Sequence, residues 1–149
     1  VGVANGRSEF GPRALGNRSL LADPRKISTK HQVNAIKRRQ KFRPFAPAIL
    51  EEYCTDYFEM PGHSRYMSYV YQCKRPHDIP AVLHVDNSAR VQTVPESSES
   101  ILRDVLEVWY EHTGCPVLLN TSLNIRGMPM VNDFCDALNF SSKYHVSVF

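Results

Sequence analysis

Apolar and polar positions recur along the chain in short blocks, and each block carries the period of one element. Val1 to Ala4 reads as a strand entering a glycine- and arginine-rich loop, and Ser19 to Ala22 as a second strand closing it. Ser28 or Thr29 offers an N-cap for a helix to about Arg39, with Val33 and Ile36 at helical spacing. Phe45 to Leu50 is expected as a buried strand, Glu51 to Phe58 as a short helix, and Met60 to His63 as a turn. Tyr66 to Gln72 alternates aromatic and smaller residues, as a strand does.

After the hydrophilic Lys74 to Asp78, Val82 to Val85 and Arg90 to Val94 read as a hairpin joined by Asp86-Asn87-Ser88. Ile101, Leu102, Val105, Leu106 and Trp109 share one face of the clearest helix, capped by Ser98 and ended by Gly114. Pro116 to Leu119 is a buried-strand candidate that delivers the polar Asn120 to Gly127 at its carboxyl end. A helix over Asp133 to Asn139 and a strand over His145 to Phe149 complete the pattern. The expected fold is α/β (α+β): a mixed, twisted open sheet with flanking helices, residues 1–149 forming a single domain.

Composition adds exclusions. Hydrophobic residues make up 42% of the chain, ordinary for a globular protein, and no apolar run approaches a spanning helix, so no membrane role is expected. Cys54, Cys73, Cys115 and Cys135 form no CxxC pair and have no histidine at zinc-ligand spacing; they read as reduced thiols of a cytoplasmic protein, and no metal site is expected. Val1 stands inside a predicted strand, from which the chain is expected to be a piece of a longer protein.

Charge is concentrated. Arg7 to Arg43 holds eleven Lys/Arg against Glu9 and Asp23, a net +9 in a chain of net +3. Cations set among Gly6, Gly11, Gly16 and several prolines suit an anion site, because glycine lets backbone N–H groups approach phosphate and arginine donates in a planar fork. The plain alternative is a solvated basic surface. Lys37 ends a predicted helix and Arg43 lies beyond its break, so the two are expected to converge on one anion. Ser122 and Asn124, two apart on an extended segment, point to one side and can hydrogen-bond phosphate or ribose oxygens. No Walker loop, HxxxH pair or nucleophile elbow is present.

The wording of four blocks goes further. Gly6-Arg7-Ser8-Glu9-Phe10-Gly11-Pro12-Arg13-Ala14-Leu15-Gly16-Asn17-Arg18-Ser19, then Asp23-Pro24-Arg25 with Phe42-Arg43-Pro44-Phe45-Ala46-Pro47, then Pro80-Ala81 with His84-Val85-Asp86 and Ala89-Arg90-Val91-Gln92, and last Asn120-Thr121-Ser122-Leu123-Asn124-Ile125-Arg126-Gly127 stand in order along the chain. Together they resemble the carboxy-terminal region of the O-carbamoyltransferases of nodulation-factor, cephalosporin, novobiocin and aminoglycoside biosynthesis. Asn87 stands where members usually carry Gly, Leu123 where they carry Phe, and Met128 where Glu is common.

That resemblance implies a YrdC-like domain following a larger actin-like one. It implies carbamoyl phosphate at Lys37 and Arg43, ATP with Mg²⁺, and carbamoyl-adenylate as the product. Arg90 is the third catalytic candidate; Arg7, Arg13, Arg18, Arg126 and His84, with Ser122 and Asn124, are the binding candidates. Transfer to a hydroxylated small-molecule acceptor would occur at an iron site in the other domain. The rival reading is an RNA-binding module without catalysis, which predicts aromatic residues interleaved with the basic ones. Only Phe10, Phe42 and Phe45 qualify, and Phe42 and Phe45 are expected to pack around Pro44 and Pro47. A third possibility is a fold that is inert without its missing partner.

Overall fold

The computed structural model describes residues 1–149. Seven strands are present: β1 (Gly2–Ala4), β2 (Arg18–Ala22), β3 (Ala46–Leu50), β4 (Val70–Gln72), β5 (Ser88–Arg90), β6 (Gln92–Val94) and β7 (Val117–Ser122). The helices are α1 (Ile27–Ile36), α2 (Cys54–Tyr57), α3 (Ile101–Thr113) and α4 (Phe134–Tyr144). Five strands form one sheet in the order β1-β2-β7-β3-β6, antiparallel except for the parallel β3–β6 pair. The expected α/β architecture with a mixed sheet is what the chain adopts.

The strands alternate as a sheet buried on both faces requires. Leu20, Ile49, Val117 and Leu119 face a core shared with α1, α2 and α4 through Val33, Cys54, Tyr57, Ala137 and Phe140. Leu21, Ala48, Leu50, Leu118 and Val94 face the other way, onto Leu102 and Leu106 of α3. The side chain of Ser100 accepts from the Leu102 amide at the start of α3, two residues later than the Ser98 cap expected, and Gly114 ends the helix in the left-handed conformation. No helix is long and apolar enough to cross a membrane.

Several sequence expectations are corrected. Helix α1 starts at Ile27, so neither Ser28 nor Thr29 caps it. Val82 lies in a 3-10 turn over Pro80–Val82, because Pro80 has no N–H to give a ladder and favours the first position of a helical turn. The expected Val82–Val85/Arg90–Val94 hairpin is therefore absent. Instead β5 pairs antiparallel with β4 as a separate two-stranded sheet. Asn87 is left-handed at φ 61°, which is the conformation that glycine supplies most readily at that position. Helix α4 runs on to Tyr144, and the strand expected after it is shortened to residues 147–149, which lie parallel to β1 through the Gly2–Val148 bridge and three backbone hydrogen bonds.

Register places one end of the sheet apart from the rest. Ala4 pairs with Arg18, Ser19 with Ser122, Ala46 with Asn120, and Ala48 with Gln92. The end of β1, the start of β2, the end of β7 and the starts of β3 and β6 therefore share that end. The segments that continue from it are the glycine-rich loop 5–17, the approach to β3 through Arg43, the loop after Ser122, and Arg90 just before β6. Parts of all four blocks meet there, whereas Asp23-Pro24-Arg25 leaves β2 at the opposite end, where the Ala81 amide donates to the Pro24 carbonyl.

Candidate functional site

Helix α1 buries a polar face at this end. Lys30, Val33, Asn34 and Lys37 follow helical spacing and are all buried. Lys30 Nζ donates to the Leu83 carbonyl at 2.8 Å. Asn34 Nδ2 donates to the carbonyls of Lys41 and Arg43 at 3.2 and 3.0 Å, fixing the loop that leads to β3. Helix α1 then stops in a Schellman turn: the Arg39 amide bonds to Asn34 O and the Arg38 amide to Ala35 O, with Arg38 left-handed at φ 52°. This reversal sends consecutive cations in different directions.

Lys37 turns inward. Its Nζ donates to the carbonyl of Ser122, to Ser122 Oγ at 3.3 Å, and to Asn124 O and Oδ1 at 2.9 and 3.0 Å. Ser122 Oγ donates to Asn124 Oδ1 at 2.7 Å, and the Arg126 amide donates to Lys37 O at 3.1 Å. Burial, followed by the nearby Arg39 charge, pulls the Lys37 ammonium down to about 7. Lys37, Ser122 and Asn124, singled out separately in the sequence, are thus one knot. The expected direct convergence of Lys37 with Arg43 on an anion is not what is found, because the Lys37 ammonium is turned onto these oxygens.

Arg39, which sequence reasoning passed over, is the cation that accompanies Arg43. Its Nε donates to Asn34 Oδ1 at 3.0 Å and its guanidinium lies 4.5 Å from the Phe45 ring centre. Burial, then the charge of Arg43, lowers it to about 10. Arg43 is exposed, and no carboxylate comes within ion-pair distance of Lys37, Arg39 or Arg43. Phe45 is buried as expected, whereas Phe42 is exposed.

The other candidates divide sharply. Arg18 is buried and spends all five N–H groups on backbone carbonyls: Nε on Val131, Nη1 on Asn5 and Asn17, Nη2 on Gly6 and Asn132. It ties the glycine-rich loop to the segment before α4 and has no donor left for a phosphate. His84 is no strand residue; it is exposed in a turn, with Nδ1 3.5 Å from Asp86. Arg7 and Arg126 are exposed and form no ion pair. Arg13 and Arg90 line one cavity, and burial with the Arg13 charge lowers Arg90.

The loop carrying Arg13 is held from below. Glu9 Oε1 accepts from the amides of Leu15, Asn17 and Arg18 at 2.9, 2.6 and 3.3 Å. Gln92 Nε2 and Asn120 Nδ2 donate to Leu15 O and Ala14 O, both at 3.1 Å, and Asn120 Nδ2 also donates to Gln92 Oε1. Gly16 is required here: a Cβ would stand 2.8 Å from Ser100 Oγ and 2.9 Å from Leu102 Cβ, at φ 134°. Glu9, one of the two acids in the basic segment, thus caps backbone and forms no ion pair.

The family described as Carbamoyltransferase C-terminus matches residues 1–149. The chain is 43% identical over 144 residues to nodulation protein NolO of Bradyrhizobium diazoefficiens, covering 93% of this chain and 26% of that protein. It is 44% identical to nodulation protein NolNO of Sinorhizobium fredii over 93% of this chain and 21% of that protein. Nodulation protein U of the same organism is 40% identical over 95% of this chain and 26% of its own length. The chain thus spans about a quarter of the length of these relatives.

Proposed function

The chain belongs to the carbamoyltransferase C-terminus family, and from that premise we propose that it binds carbamoyl phosphate and ATP for an O-carbamoyltransferase and forms carbamoyl-adenylate. The observation that carries this reading is the cluster of Lys37, Arg39 and Arg43 without a carboxylate partner, set beside Ser122 and Asn124 at one sheet end. Buried or crowded cations without acids are costly unless an anion completes them.

Carbamoyl phosphate loses its phosphate to water and leaves carbamate. A carbamate oxygen then attacks the α-phosphorus of ATP while the bond to the β-phosphate breaks and pyrophosphate departs. Both partners are anions, so the residues' task is to neutralise and align them. Arg39 and Arg43 supply fixed charge to the smaller anion, Ser122 and Asn124 orient it, and Lys37 positions those two from beneath. Arg13 and Arg90 take the nucleotide phosphates, with Arg7 and Arg126 at the rim. Mg²⁺, held mainly by the nucleotide phosphates and water, would offset their charge. Transfer to a hydroxyl acceptor falls to the remaining length seen in the relatives.

The test is a calorimetric titration of the chain with carbamoyl phosphate and with ATP and Mg²⁺, for wild type and for Arg43→Ala. Saturable binding of both, with the carbamoyl phosphate affinity reduced about tenfold or more in the variant, supports the reading. Absence of binding to a folded chain contradicts it.

A further inference from the structure

Asn34 is a neutral side chain that grips both Arg39 and Arg43. It is fully buried on the inner face of α1, and every polar atom of its amide is engaged. Nδ2 donates to the carbonyls of Lys41 and Arg43 at 3.2 and 3.0 Å, and Oδ1 accepts from Arg39 Nε at 3.0 Å. These partners fix which way the amide points, because a carbonyl only accepts and a guanidinium only donates. The Asn34 backbone carbonyl also accepts from the Arg39 amide at 3.0 Å. One residue of α1 thus ties down the Arg39 side chain at one atom and the Arg43 backbone at another. Beyond Nε, the Arg39 guanidinium makes no hydrogen bond within the chain, and Arg43 is exposed.

The chemistry of the holder matters as much as its place. Asparagine and aspartate share one shape, and aspartate is the stronger partner for arginine. A carboxylate at this position would pair with Arg39 and cancel the charge that an anion needs. An amide oxygen aims the guanidinium and leaves its full charge free. Burying that amide would be costly if its N–H groups were unpaired, and the two loop carbonyls supply the acceptors. We propose that Asn34 is a positioning residue, which sets Arg39 and Arg43 on one anion by holding both without neutralising either. This rests on the reading of the cluster as the carbamoyl phosphate site, and it adds the residue through which the two arginines act as a unit.

The test is a double-mutant cycle on carbamoyl phosphate affinity, measured by calorimetry for wild type, Asn34→Ala, Arg39→Ala and Asn34→Ala/Arg39→Ala. Urea denaturation checks that each is folded at the temperature of titration. The proposal expects Asn34→Ala to weaken binding by about fivefold or more. That loss should shrink by about threefold or more once Arg39 is absent. A residue that only stabilised the fold would lower the urea midpoint and leave the cycle additive. Asn34→Asp is a second variant, which keeps the size and the acceptor for Arg39. It should weaken binding by about tenfold or more, and by less in the Arg39→Ala background, so it carries the same test where Asn34→Ala does not fold. Affinity within about twofold of wild type in a folded Asn34 variant, or an equal loss in both backgrounds, overturns the positioning role and leaves the carbamoyl phosphate reading intact. Failure of wild type to bind overturns that reading and this one with it.

Discussion

The Lys37 ammonium donates to both the backbone and the side-chain oxygen of Asn124, at 2.9 and 3.0 Å, across 87 residues of sequence. With the two Ser122 oxygens, this makes the lysine the underside of the Ser122–Asn124 segment. Removing it leaves several oxygens facing one another without a donor. Lys37→Met is expected to destabilise the chain by about 2–4 kcal/mol, seen as a lower urea midpoint. A change below about 0.5 kcal/mol would mean that the knot is not structural.

The depressed Lys37 also sets a pH dependence. Its amine is lowered to about 7 in the folded chain from the ordinary 10.5. Between these values the unfolded chain holds a proton that the folded chain does not, so this group makes stability rise with pH across that window, by at most about 1.4 kcal/mol per pH unit. A bound anion favours the charged ammonium. Carbamoyl phosphate affinity is therefore expected to fall as pH rises through 7, with proton uptake on binding above pH 7. Titrations in buffers of different ionisation enthalpy check this, and an affinity flat from pH 6 to 9 contradicts it.

Arg18 should behave as a fastener. Arg18→Lys keeps the charge but cannot reach five carbonyls, and is expected to cost about 2–4 kcal/mol. A residue that served only as a phosphate contact would tolerate lysine with little loss of stability. Urea denaturation separates the two.

Arg38 occupies the left-handed position of the Schellman turn, where glycine is favoured. Arg38→Gly is expected to stabilise the chain by up to about 1 kcal/mol, offset in part by the guanidinium's loss of its place 5.9 Å from the Tyr144 ring centre. A lowered melting temperature would show that the Arg38 side chain contributes more than the strain it carries.

What was legible in the sequence follows from which residues signal by type. Leu102, Leu106 and Trp109 announce α3 because a half-buried helix repeats apolar residues at its own period. Val117 to Leu119 announce a strand buried on both faces. Helix α1 spoke less clearly, since its inner face is Lys30, Asn34 and Lys37 around Val33, and polar residues do not register as core. Their shared spacing was nonetheless present. The Val82–Val85 strand was misread because an apolar run does not show whether its backbone will pair, and Pro80 settles that against pairing.

At the candidate site, residue types pointed to a cationic end of the sheet but not to the division of labour. Arg7, Arg13, Arg18, Arg43, Arg90 and Arg126 look alike as letters. Only placement distinguishes Arg18, wholly engaged with backbone carbonyls, from Arg43, exposed and without an acid partner. Arg39 was missed for the same reason: its tie to Asn34 depends on the reversal at Arg38.

The most direct measurement is the heat of carbamoyl phosphate binding to wild type, Arg43→Ala and Arg39→Ala/Arg43→Ala, each with its thermal stability. The account predicts saturable binding to wild type, a loss of about tenfold or more in Arg43→Ala with an unchanged melting temperature, and no detectable binding in the double variant. Equal affinity in all three folded proteins would contradict the claim that this cationic end holds the carbamoyl donor.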